Sequence, residues 1–304
     1  MGITKEQIKE FAKSIGMDMC GVGSVDRFVT SPENRHPCDT LPGCKSVVVV
    51  GARLIDGVVQ ANFRAFEDGR NDLKGIFGTF GYTLLPNFEL TYVCYAVAQF
   101  IETNSNGIAT PCATGPMQYG MPMSIRHAAV AAGLGEFGYM GIVLTPEHGP
   151  RVRFGVILTT LDLEPDPMYG GPSLCDPDKC GICAKVCPTG AIRAPGTHEL
   201  DHVEIGGKKY DYTHVHFPKC RKALQAMTKA LGGRGDYLME DDPTMEDLSA
   251  AEQRMPVSGV GLQHIESWHC GRCQSYCPSG NWNARYMKTG LSGGASNAFI
   301  EEKM

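Results

Sequence analysis

The chain has 304 residues, 42% hydrophobic and 20% charged, with a formal net charge of −5 and 13 cysteines. That composition builds a globular protein with a sizeable core, in one large domain or two ordinary ones, and excludes a collagen-like or disordered chain. The acidic balance argues against a general nucleic-acid binder, which carries a basic face, and no window approaches the ~18 apolar residues that span a bilayer.

The N-terminus, M-G-I-T-K-E, has no apolar signal core and no twin arginine, so a cytoplasmic location is expected. In that reducing compartment cysteines serve metals more often than disulfides. Thr4 to Ile15 is expected to form a helix: Thr4 and Gln7 make a capping box, Ile8, Phe11, Ala12 and Ile15 share one face, and Gly16 stops it. Met19 to Val22 reads as a short strand before a polar loop from Ser24 to Gly43. Ser46 to Leu54, S-V-V-V-V-G-A-R-L, is a continuous β-branched run of the kind a strand buried on both faces shows.

Phe88 to Glu102 has helical periodicity through Leu90, Val93, Val97 and Ile101, and Phe154 to Thr160 is strand-like. This mixture predicts an α/β or α+β fold. Thr103 to Ile125 holds no charged residue yet is rich in Gly, Pro, Asn, Thr and Ser. It is either a buried connecting loop or a wall around a large cofactor. Gly133 to Gly138, G-L-G-E-F-G, fits the dinucleotide fingerprint, but it follows an Ala-rich helical run, Ser124 to Ala132, instead of a strand. Its glycines are expected to stop that helix and let backbone pack closely. Pro165 to Pro172 is a natural boundary, dividing the chain into residues 1–164 and 165–304. An acidic insert centred on Glu240, Asp241 and Asp242 and a flexible tail from Gly290 to Ser296 complete the second part.

The cysteines carry the strongest signal. Cys175 to Pro188 reads C-D-P-D-K-C-G-I-C-A-K-V-C-P, and Cys270 to Pro278 reads C-G-R-C-Q-S-Y-C-P, with Cys220 between. In two-cluster ferredoxins the Cys that precedes Pro crosses over to the other cluster. The rule assigns Cys175, Cys180, Cys183 and Cys277 to one [4Fe-4S] cluster, and Cys187, Cys220, Cys270 and Cys273 to a second. One departure is visible: four residues, not two, separate Cys175 from Cys180. Zinc is the rival, since C-x-x-C pairs also bind it, but zinc needs neither the C-P ending nor the three-residue step before it. Cys20, Cys38, Cys44, Cys94 and Cys112 lie outside the runs and read mostly as small hydrophobes, with Cys112 a candidate to face a cofactor. His127 reads as structural, and His214 and His216 as supports near Cys220.

Ala132 to Arg153, A-G-L-G-E-F-G-Y-M-G-I-V-L-T-P-E-H-G-P-R-V-R, followed by the two cysteine runs, resembles the corrinoid-dependent reductive dehalogenases and their relatives, the epoxyqueuosine reductases. The likeness covers roughly residues 46–283. It implies an α+β architecture, a nitroreductase-like α/β domain holding base-off cobalamin, followed by a ferredoxin-like domain with two [4Fe-4S] clusters. It implies electrons from a low-potential ferredoxin- or flavodoxin-type donor, an anaerobic host and reductive cleavage of a small organic substrate. It suggests Gly133, Gly135, Gly138, Gly141, Thr145, Gly149 and Arg151 as cofactor-binding residues, and Tyr119, with Tyr92 or Tyr95 less securely, as the proton donor beside Arg153.

The bland readings stay open: Tyr92 and Tyr95 as core, the arginines as binders of a carboxylate or of corrinoid side chains. Epoxyqueuosine reductases place an acidic residue where this chain has Tyr119, with Pro122 and Arg126 in register. They also carry a helical-repeat extension and a basic balance that this chain lacks, so a tRNA substrate is not expected. The respiratory dehalogenases' leader and long N-terminal segment are likewise absent. Two alternatives remain: an electron-transfer or activator protein for a partner's corrinoid, and a flavin-binding iron–sulfur reductase.

Overall fold

The structure is a computed structural model and describes residues 2–82, 85–113, 122–231, 237–254 and 270–281. Its centre is a four-stranded antiparallel sheet of order β1-β2-β6-β3, formed by β1 (Met19–Ser24), β2 (Ser46–Arg53), β3 (Ala109–Ala113) and β6 (Val152–Thr159). The valine run shows why β2 is central. Val47 and Val49 face one apolar layer with Val156, Leu158 and Ala128 to Ala132. Val48 and Val50 face the other with Ile8, Leu90, Val93, Val97 and Ile157. A period of two on a strand buried on both sides requires apolar residues at every position.

On the second face lie α1 (Lys5–Ser14) and the long helix α5 (Leu85–Asn104). The capping box at the start of α1 is present: Gln7 N donates to Thr4 Oγ1 at 3.3 Å and Thr4 N to Gln7 Oε1 at 2.9 Å. Phe11 stacks on Phe100 of α5 at 4.1 Å. On α5, Leu90, Val93, Val97 and Ile101 are buried as their spacing predicts, whereas Tyr92 and Tyr95 are 68% and 60% exposed. The core reading of the two tyrosines is therefore overturned; they occupy the outer side of the helix. Leu90→Ala is expected to cost about 2–5 kcal/mol in thermal unfolding, and Tyr92→Ala no more than about 0.5 kcal/mol.

Between β1 and β2 the polar loop contains α2 (Pro37–Thr40), and α3 (Asp56–Glu67) and α4 (Lys74–Phe77) follow β2. The first face is covered by α6 (Ile125–Ala131), started by Ser124, whose hydroxyl accepts from His127 N at 3.4 Å. Gly133, at φ +79°, follows its end. The G-L-G-E-F-G stretch thus sits at a helix C-terminus, as expected, and leads into the small hairpin β4 (Glu136–Phe137) and β5 (Val143–Leu144).

Asp166 straps the proline-rich stretch to the sheet: its carboxylate accepts from Lys9 Nζ at 2.6 Å and from Val22 N at 2.8 Å. Beyond it come α7 (Ile182–Lys185), the hairpin β7 (Leu200–Ile205) and β8 (Lys208–Thr213), α8 (Phe217–Leu224), α9 (Met245–Arg254) and α10 (Arg272–Ser275). In the acidic insert Asp241 pairs with Lys222 at 3.2 Å and Asp242 with Lys219 at 2.8 Å, while Glu252 of α9 binds Arg221 of α8 at 2.5 Å. Tyr119 and the tail from Gly290 to Ser296 lie outside the described residues. Among the described residues no helix is long and apolar enough to cross a membrane.

Candidate metal centre

Both cysteine runs fold the same way. In Cys180-Gly181-Ile182-Cys183 and Cys270-Gly271-Arg272-Cys273 the glycine is left-handed, at φ +61° and +54°, and opens a single helical turn, α7 or α10. A Cβ is strained at such a reversal and glycine is not. In the longer first spacing, Asp176 accepts from Lys179 Nζ at 2.7 Å and from Lys179 N at 3.3 Å, and its carbonyl accepts from Cys180 N at 3.0 Å. The extra residues thus close into their own turn. Cys175 stays grouped with Cys183, Cys187, Cys273 and Cys277 around Tyr139, Met140 and Leu144, and its sulfur accepts from Tyr139 N at 3.3 Å.

The thiols of the two runs lie close enough to influence one another. Cys183 is influenced by Cys277, Cys175 and Cys180, and Cys277 by Cys175 and Cys180. Cys270 is influenced by Cys220 and Cys187, and Cys273 by Cys270, Cys220, Cys183 and Cys187. Cys273 therefore stands between the sets. Burial above all, reinforced by these neighbours, pushes Cys183 and Cys270 up to about 12 and Cys220 and Cys277 up to about 11, with Cys273 raised well beyond an ordinary thiol. Without a cation they are neutral thiols; a bound metal inverts that and holds them as thiolates. Among the described residues no three His, Cys, Asp or Glu side chains converge on a single-ion site.

The second run is seated on residues far earlier in the chain. Asn62 Nδ2 of α3 donates to the Cys270 carbonyl at 3.0 Å and to Ser275 Oγ at 2.9 Å. Phe63 stacks on Tyr276 at 4.3 Å, and the Tyr276 hydroxyl donates to the Glu67 carboxylate. Arg272 lies over the rings of Phe66 and Tyr276, at 4.8 Å and 5.5 Å. Buried Lys74, whose Nζ donates to the Leu231 carbonyl at 3.1 Å, brings a positive charge near Cys270. His216, whose ring accepts from Lys219 N at 3.3 Å, caps the helix that bears Cys220. Sequence reasoning missed Asn62, Lys74 and Glu67. The one available signal was an Asn on the apolar side of a helix, between Val58, Val59 and Phe63.

The residues expected to line a cofactor meet the protein itself. On the side where a Cβ would stand, Gly133 meets the Pro167 carbonyl, Gly135 the Leu144 carbonyl and Gly138 the Leu144 side chain. Gly141 meets Arg126 and Tyr212, and Gly149 the Ser279 carbonyl. Thr145 closes a turn with Gly149, their amides and carbonyls exchanging bonds of 3.0 and 2.8 Å. Arg151 is 2% exposed, and its guanidinium donates to the carbonyls of Gln274, Cys277 and Ser279. The small residues here serve close packing of chain on chain, and the arginine is engaged by main-chain oxygens.

Arg153 stands at the start of β6, opposite Ala52, and donates to Asn87 Oδ1 of α5 at 3.0 Å. His127 is held by Ser124 Oγ at 2.6 Å, and burial pushes it down to about 4, so it stays neutral and structural. His214 pairs with Asp201 at 3.1 Å. Cys112 is buried in the sheet core. Burial pushes Cys20 and Cys112 up to about 12 and Cys44 up to about 11, with Cys94 higher still, as inert thiols should be.

Comparison with known proteins supports a 4Fe-4S site at the first cysteine run. Residues 178–193 match the model of the 4Fe-4S binding domain. The chain is 30% identical over 227 residues to an epoxyqueuosine reductase of Gloeobacter violaceus, covering 64% of this chain and 63% of that protein. It is 30% identical over 159 residues to a tetrachloroethene reductive dehalogenase of Sulfurospirillum multivorans, covering 51% of this chain and 28% of that one. The chain therefore spans less than two thirds of the length of these relatives. In fold it is similar to an epoxyqueuosine reductase solved with a tRNA-Tyr stem loop (TM-score 0.55, 20% identity, 90% of this chain and 64% of that one). It is also similar to a catabolic reductive dehalogenase (TM-score 0.52, 19% identity, 96% and 37%). The chain is thus a mixed α/β protein with a 4Fe-4S binding motif, similar to the epoxyqueuosine reductases and the reductive dehalogenases.

Proposed function

We propose that the protein is an iron–sulfur oxidoreductase that relays electrons through two [4Fe-4S] clusters to a corrinoid bound by the N-terminal, nitroreductase-like part. Residues 165–304 form the ferredoxin-like part. The observation that carries this reading is the grouping of Cys175, Cys183 and Cys187 of the first run with Cys273 and Cys277 of the second in one cluster of packed residues. The donor set fits the group: eight half-buried thiols drawn from three stretches of the chain. When bound, the clusters supply one-electron transfer and the corrinoid a cobalt centre able to break a carbon–heteroatom bond.

The chain's own residues then hold the wire and manage a proton. The two C-G-x-C turns fix four of the eight ligands, and Asn62, Arg151 and His216 fix the segments that carry Cys270, Cys277 and Cys220. Arg153, tied to Asn87, offers a positive charge; a phenol near such a charge gives up its proton more readily. Tyr119 is the proposed donor and Tyr92, on the exposed side of α5, the second candidate. The substrate is proposed as a small organic molecule. The charge balance does not exclude nucleic acid, because an epoxyqueuosine reductase of similar fold was solved with a tRNA stem loop, so the expectation against it is withdrawn.

Protein purified without oxygen, from cells grown with and without cobalamin, is expected to hold about eight irons per chain and a stoichiometric corrinoid absorbance. Zinc, or far fewer irons, would overturn the reading. Iron–sulfur absorbance with no corrinoid would move the acceptor to a partner protein, and a flavin spectrum would replace the cobalt centre. Tyr119→Phe is expected to abolish turnover while leaving the iron content unchanged.

A further inference from the structure

The second cysteine run is gripped at its two ends by two buried side chains from earlier in the chain. At its start Asn62 donates to the Cys270 carbonyl at 3.0 Å and to Ser275 Oγ at 2.9 Å. Toward its end Arg151 Nη1 donates to the carbonyls of Gln274 at 3.2 Å and Cys277 at 2.9 Å, and Nη2 donates to that of Ser279. The loop answers in kind: Gln274 Nε2 donates to the Pro150 carbonyl at 3.2 Å, and Asn281 N to the Glu147 carbonyl at 2.9 Å. Both grips are deep, Asn62 being wholly buried and Arg151 nearly so.

The grips fall on cysteines of different quartets. On the two-cluster reading Cys277 falls with Cys175, Cys180 and Cys183, and Cys270 with Cys187, Cys220 and Cys273. We propose that Arg151 and Asn62 are positioning residues assigned to one cluster each: Arg151 fixes Cys277 and biases the first cluster, and Asn62 fixes Cys270 and the second. This rests on the two-cluster reading above. A guanidinium suits the first task because its planar fork presents several N–H groups in fixed directions to converging carbonyls, which a lysine ammonium does not. Its charge also lies against a cluster whose reduction adds negative charge, so it favours the reduced form. Asn62 carries no charge, and its effect is on geometry.

The test uses the full chain, purified without oxygen, with iron analysis and EPR-monitored redox titration. Cys175→Ser and Cys220→Ser first assign the two signals, each disturbing one cluster. Arg151→Gln is expected to lower the midpoint potential of the cluster that Cys175→Ser disturbs and leave the other unmoved. Arg151→Lys is expected to restore much of that potential while its signal stays broadened by looser geometry. Asn62→Ala is expected to alter only the cluster that Cys220→Ser disturbs. If Arg151→Gln does not fold, Arg151→Lys decides: a changed signal at the first cluster alone supports the assignment, and an unchanged one overturns it. Equal shifts at both clusters, or none, in the Arg151 and Asn62 variants overturn it as well. A wild-type protein without two clusters would instead sink the underlying reading, a separate and visible outcome.

Discussion

Cys273→Ala is expected to remove one whole cluster, taking iron from about eight to about four per chain and abolishing substrate turnover. Cys273 is the thiol between the sets, influenced by Cys270, Cys220, Cys187 and Cys183, and burial holds it well above the ordinary thiol range. Loss of one of four ligands leaves a cluster with an open corner in a place built for thiolates. The remaining buried thiols then return to their neutral form, and the binding free energy that metal contributes to folding is lost with them. Cys94→Ala supplies the control. Cys94 is as buried as any thiol in the chain but packs among Val93, Val97 and Ile157, apart from both quartets. Its replacement should cost some stability and no iron. Iron and sulfide analysis of the two variants decides the matter: equal iron in both would strike Cys273 from the ligand set.

What could be read from the sequence follows how local each signal is. The Thr4–Gln7 capping box, the buried side of α5 and the valine run of β2 all appeared as expected, because each is encoded within a few residues of itself. The edge strand β3 went unread: A-T-P-C-A has no alternation and includes Pro111, and its pairing with β6 shifts register between Pro111 and Ala113. The hairpin of β7 and β8 was legible but not taken, since Gly206 and Gly207 stand between two alternating runs, both at positive φ.

At the centre itself, spacing alone proposes all eight cysteines and their crossing. It could not name what seats them, because Asn62 and Arg151 act on main-chain carbonyls, which every residue has. The glycines of the Gly133 to Gly149 stretch announced a close approach of backbone, and the family resemblance added a cofactor as a further neighbour. In the fold Pro167, Leu144 and Ser279 stand on the side where a Cβ would be. A missing side chain reports that something comes near, never what.

The last of these contacts yields the second large effect. Gly149 adopts φ +55°, and a Cβ there would overlap the Ser279 carbonyl; a Cβ on Gly280 would in turn overlap the backbone between His148 and Gly149. The turn after β5 and the segment after Cys277 therefore pass each other at backbone contact, with a glycine on each side. Gly149→Ala meets two costs. Left-handed backbone strain is of order 1 kcal/mol or more for a residue with a Cβ. Forcing the neighbouring segment away adds about 1–3 kcal/mol, as overpacking does.

The expected loss is thus about 2–5 kcal/mol, or a fall in melting temperature of roughly 5–15 °C for a chain of this size. The segment displaced is the one that carries Cys277, so iron should fall as well, with the first cluster affected before the second. Gly190→Ala separates the two costs. Gly190 is also left-handed, at φ +64°, but a Cβ there meets nothing within 4 Å. It should lose about 1 kcal/mol and keep all its iron. Thermal unfolding and iron analysis of the pair measure the interlock directly. A Gly149→Ala protein as stable and as iron-replete as Gly190→Ala would show that the turn does not brace the cysteine run.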